Sequence, residues 1–179
     1  MHRYMLLAFA IVFLSGSASQ AQQPYAGLQA RPIKALSEQQ TADLKAGRGM
    51  GLALAAELNG YPGPVHLLEL SDQIGLSDPQ RAEIAGLFES MKNEARPLGE
   101  KLLSLEADLD AQFKNRTITA DSLKGATATI GEVQAALRNT HLKYHLASVA
   151  LLTPSQIKRY EELRGYSTGG HGIHQGTHR

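Results

Sequence analysis

Apolar residues recur along the middle of the chain with a period that suits a helix and not a strand. Ile84, Phe88, Met91, Ala95, Leu98, Leu102, Leu105 and Leu109 are separated alternately by four and three residues, which puts them on one stripe of an α-helix. A second stripe with the same alternation runs through Leu123, Ala126, Ile130, Val133, Leu137, Thr140, Tyr144, Ala147 and Leu151. The polar segment Asn115–Thr119 joins them, and Thr119 stands where a cap of the second helix belongs. Two matched stripes with so short a connection predict an antiparallel helical hairpin, each arm of roughly 30–37 residues and about 45–55 Å long. Pro97 falls inside the first stripe. It withholds one backbone hydrogen bond and crowds the carbonyl a turn earlier, so a kink is expected there. The fold class is all-α: a long hairpin flanked by short helices.

Helix starts are marked three times by the same local chemistry. Leu76-Ser77 with Gln80, Leu152-Thr153 with Gln156, and Leu36-Ser37 with Gln40 each place a hydroxyl residue three positions before a glutamine. This is a capping box, in which the hydroxyl accepts the N3 amide while the N3 side chain returns to the cap amide. Pro154 sits at N1, where its missing N–H costs nothing, and Leu152 with Ile157 forms the pattern of a hydrophobic staple. Two of the boxes bracket the hairpin. Val65–Ile74 reads as a short amphipathic helix ended by Gly75, and Pro154–Arg164 as another. Ser37–Asn59 reads as helix interrupted by Gly47, Gly49 and Gly51, and Gly60–Pro64 as a break. Residues 22–35 read as loose. The expected organisation is a leader at 1–21, an N-terminal helical extension at 22–61, the hairpin domain at 62–166, and a flexible Gly/His tail at 167–179.

The leader expectation rests on Arg3, the apolar run Met5–Leu14 and the small residues Ser19 and Ala21 before Gln22, the pattern of a secretory signal. The run is too short to span a bilayer. Periplasmic localisation follows, with no membrane insertion once the signal is cleaved. Cleavage removes Arg3 and leaves Lys+Arg equal to Asp+Glu at 17 each. A neutral chain lacks the basic surface that nucleic acid or anionic lipid requires. Cysteine is absent from the sequence, which excludes disulfides, thiolate metal sites and thiol nucleophiles.

Histidine is the informative reactive residue. His141 and His145 lie four apart on a predicted helix and share a face. That is a two-nitrogen chelate for a divalent transition metal, Zn, Ni, Co or Cu, or else a pair of packed core histidines. His66 opens the short helix before the first box. In an antiparallel hairpin that position falls near the C-terminal end of the second arm, where His141 and His145 also lie. The three are therefore expected to converge, with Glu69, Glu89 or Met50 as further ligands. His171, His174 and His178 in the tail form a loose metal-collecting tract. Leu142, Leu146 and Val149 are apolar residues off the second stripe, a face for a second subunit or a client. No Gly-x-Ser-x-Gly or His-Glu-x-x-His motif occurs. The glycine cluster 47–51 has neither a preceding strand nor a following Lys-Ser/Thr, so a phosphate cradle is not expected. No enzymatic activity is expected.

The order of short helix, Leu-Ser-x-x-Gln, long helix, turn, long helix, Leu-Thr-Pro-x-Gln and short helix, behind a signal peptide, resembles the Spy/CpxP-like LTxxQ superfamily of periplasmic proteins. The likeness covers roughly residues 62–165. It implies a curved homodimer of hairpins. It also implies one of two roles: a metal-sensing or metal-resistance accessory protein with a signalling partner in envelope stress, or an ATP-independent chaperone for unfolded periplasmic proteins. In the metal-binding branch a histidine on the first short helix acts with residues one turn apart late in the second long helix. His66, and His145 with His141, match those places. The family's helix pair is commonly His with Met, where this chain has Tyr144 and Ser148, and its second short-helix histidine corresponds to Leu70.

Overall fold

The computed structural model describes residues 24–166. The leader expected at 1–21 and the tail histidines His171, His174 and His178 lie outside the described residues. After a single 3-10 turn at Leu28–Ala30 come α1 (Glu38–Ala46), α2 (Leu54–Glu57), α3 (Pro64–Glu69), α4 (Asp78–Lys114), α5 (Ala120–Val149) and α6 (Pro154–Arg164). Among the described residues there are no strands, and α4 and α5 pack against each other as the hairpin. The fold is all-α. No helix among the described residues is long and apolar enough to cross a membrane.

The capping boxes at Ser37, Ser77 and Thr153 are all formed, and Thr119 makes a fourth with Ser122. Two of them also bond to each other. The Gln80 carboxamide donates to the Leu151 carbonyl at 2.7 Å and to Gln156 Oε1 at 2.9 Å. Gln156 donates to the Gly75 carbonyl and to Gln80 Oε1, both at 3.0 Å. Each Oε1 meanwhile accepts its own cap amide at 3.0 Å. The two glutamines thus tie the start of α4 to the start of α6 and to the backbone of Gly75 and Leu151, closing the open end of the hairpin.

Helix α4 runs unbroken through Pro97, whose side of the helix faces solvent. The first short helix is shorter than its apolar pattern predicted. The backbone leaves α3 at Leu70 (φ −103°, ψ 10°), and turns carry the chain to Gly75 in the left-handed region (φ +69°). Arg81 holds those turns by donating to Ser71 Oγ at 2.7 Å and pairing with Asp72 at 2.8 Å. The bend lets Leu67, Ile74 and Leu76 all enter one cluster with Ile84 and Tyr160.

A second cluster lies further along the hairpin: Leu44, Ala95, Leu102, Leu103, Ile130, Val133 and Leu137. Leu44 belongs to α1, so the N-terminal extension packs on the hairpin. It does so through Gly99, where a Cβ would overlap the Leu44 carbonyl. On the outer side, Glu94 of α4 accepts from Lys143 and Tyr144 of α5. The Lys143 contact, with that of Tyr144, holds the Glu94 carboxyl below its ordinary range.

Candidate functional site

Between the two clusters the stripes change character. Along α5 the positions after Leu137 bring His141, His145 and Ser148 into the buried interior. Along α4 the facing positions after Ile84 are Phe88 and Met91. Here α4 and α5, with α3 and the extension, wall a cavity of about 620 Å³. His141 and His145 line it from α5, His66 and Glu69 from α3, and Phe88 and Met91 from α4. The extension supplies the remaining wall, with Gly49, Met50 and Leu54 among its residues. The three mid-chain histidines that sequence placed at one end of the hairpin therefore share one cavity. Among the described residues no group of three or more His, Asp or Glu side chains stands close enough to enclose a metal ion. Glu89, considered as a further ligand, pairs with Lys92 at 3.0 Å instead.

Each imidazole is set up differently. The Tyr61 carbonyl lies 2.7 Å from His145 Nδ1 and can only accept, so Nδ1 is the donor and Nε2 is the nitrogen left free of that bond. His66 Nδ1 lies 3.1 Å from Glu69 Oε2, which likewise leaves its Nε2 available. His141 is only 2% exposed, and its Nε2 is buried with no hydrogen-bond partner. Burial, and then the neighbouring His145, hold its pKa below the ordinary histidine value of 6.5, so the ring is neutral at pH 7.

Loops bring backbone unusually close to both α5 rings. A Cβ on Gly49 would stand 3.3 Å from His141 Nδ1, and one on Gly63 would stand 2.7 Å from His145 Nε2. Any side chain at 63 would displace that ring. The glycine cluster that suggested no phosphate site has its use here: Gly47 and Gly51 take left-handed turns, and Met50 adopts a positive φ of 44° between them.

Beneath His145 lies a carboxylate that the sequence did not single out. Glu57 is 6% exposed. Its Oε1 accepts from the Tyr160 hydroxyl, its Oε2 accepts from the Gly63 amide at 3.1 Å, and Arg164 stands 3.8 Å away. His145 Nδ1 is also 3.8 Å from Glu57 Oε2. Burial and Glu57 push the Tyr160 phenol far above its ordinary range, which keeps it a donor. The network fixes the loop carrying Tyr61 and Gly63, and through Tyr61 it fixes the tautomer of His145.

The apolar residues Leu142, Leu146 and Val149 lie on the outer side of α5. Leu146 is 57% exposed, while Leu142 and Val149 are half-buried. Comparison with protein-family models, with curated proteins and with solved structures finds no match in any of the three.

Proposed function

We propose that this chain is a periplasmic metal-resistance or stress accessory protein that holds a divalent transition metal of the Zn, Ni, Co or Cu set in the cavity between α3 and α5. The observation that carries the reading is that His141, whose Nε2 is buried without a partner, lines one cavity with His145 and His66. An unpaired buried nitrogen costs about 1–3 kcal/mol, and a metal ion is one partner that would offset that cost. The donor set fits: His145 and His66 each have Nδ1 engaged and Nε2 open, the arrangement typical of metal-ligating histidines. His141 and His145, one helical turn apart, are the anchor, and His66 is the third histidine of the same cavity. Glu57 and Tyr61 orient His145, and Gly49 and Gly63 let backbone lie against the two α5 rings. The tail histidines serve as a collector.

Titration of the full-length chain with Zn, Ni, Co and Cu tests this, in a background carrying His171→Ala, His174→Ala and His178→Ala. Replacing His145 or His66 by Ala is expected to weaken binding by roughly tenfold or more. Equal affinity in the background and both variants would remove the cavity as a site.

The exposure of Leu146 beside half-buried Leu142 and Val149 supports a second role, as a homodimer whose apolar face holds unfolded clients. Metal and client binding are compatible, since an ion bridging α3 and α5 biases the shape of that face. No suppression of client aggregation at stoichiometric amounts would count against this role.

A further inference from the structure

The two α5 imidazoles need more ligands than the acids and histidines of the described residues supply, because no third His, Asp or Glu stands with them. Two other donors share their cavity. Met91 reaches it from α4 and is buried, and Met50 reaches it from the extension loop. Met50 is 41% exposed, and its backbone is held at a positive φ of 44°, a conformation that a non-glycine residue adopts only when its surroundings enforce it. The chain has just four methionines, and two of them line this one cavity.

The carboxylates of the cavity wall are already engaged: Glu57 with Tyr160 and Gly63, and Glu69 with His66. Its cations are largely paired as well, Arg48 with Asp43 and Lys92 with Glu89. The donors left to an ion are imidazoles and thioethers. Thioether with imidazole is a soft donor set, and soft donors select the cuprous ion.

We infer that the cavity is a cuprous site, in which the sulfurs of Met50 and Met91 complete coordination begun by His141 and His145. The inference rests on the metal-holding reading above for its site and departs from it in the ion, which is monovalent instead of divalent. It also gives the N-terminal extension a role, since Met50 arrives on the loop that lays Gly49 against His141. The extension is the wall that makes the site soft.

The test is a competition titration of Cu(I) against bicinchoninate under reducing, oxygen-free conditions, paired with a Zn(II) titration. Both use the full-length chain with the three tail histidines replaced by Ala. Met50→Leu and Met91→Leu preserve side-chain volume closely. Met50 lies in an exposed loop, so its variant keeps the test decisive even if the Met91 variant folds poorly. Expected is a fall of roughly tenfold or more in Cu(I) affinity in each methionine variant, with Zn(II) affinity unchanged and a sulfur shell in the copper X-ray absorption spectrum that Met50→Leu diminishes. Wild-type Cu(I) affinity in both methionine variants, together with loss of binding in His141→Ala, would overturn the cuprous assignment and leave the metal reading standing. Unchanged binding of both ions in His141→Ala would overturn both.

Discussion

His141 combines two properties that stability alone does not favour. It is buried, and one of its ring nitrogens has no partner. Replacing it with leucine removes an unsatisfied polar atom and keeps the cavity wall apolar, so His141→Leu is expected to be neutral or stabilising within about 1 kcal/mol while abolishing metal binding. Because burial holds its pKa below 6.5, the unfolded chain takes up a proton at a higher pH than the folded chain. Its contribution to stability is therefore full above pH 6.5 and declines as pH falls through that value, levelling once the folded ring also protonates. Urea midpoints measured from about pH 7.5 down to about pH 5.5 should fall less steeply for His141→Leu than for wild type. An equal slope would mean that other groups set the acid sensitivity. The histidines were legible in the sequence because helical spacing and antiparallel topology act on any residue type. Glu57, Gly49 and Gly63 were not, because they lie on or beside short irregular segments where no period assigns a face, and their meaning comes from contacts across the fold.

At the scale of elements, two contacts decide how the helices are held. Gly99 is where α1 meets α4, and a methyl there would strike the Leu44 carbonyl, a backbone atom that cannot swing aside. Gly99→Ala would raise helix propensity by about 1 kcal/mol on an exposed surface, but here it is expected to destabilise by about 1–3 kcal/mol through overpacking. Denaturant unfolding checks the sign, and a stabilised variant would show that α1 is not docked as described. The Gln80–Gln156 pair joins two capping boxes. A double-mutant cycle with Gln80→Ala and Gln156→Ala should give a coupling energy of about 0.5–3 kcal/mol, whereas strictly additive effects would reduce the boxes to separate helix starts. Heptad stripes and boxes made α4, α5 and α6 legible from local chemistry. That the boxes bond to each other was not legible, since nothing local specifies which helix starts meet. The shortening of α3 was likewise set by tertiary burial of Ile74 and Leu76, which overrode a helical pattern.

At the scale of the molecule, two apolar clusters grip the hairpin at different heights, and the polar interior residues of α5 fall in the interval between them. The extension walls that interval, with Gly49 laid against His141. One ion bound there would touch α5, and through Met50 and Met91 the extension and α4, which would couple these elements. The most direct measurement is anomalous diffraction from crystals of the full-length chain grown with copper under reducing conditions, with data collected at the metal edge. Expected is one strong peak within bonding distance of a ring nitrogen of both His141 and His145, inside the cavity faced by His66 and Met91. A cavity with no peak, or metal only on the tail histidines, would contradict it.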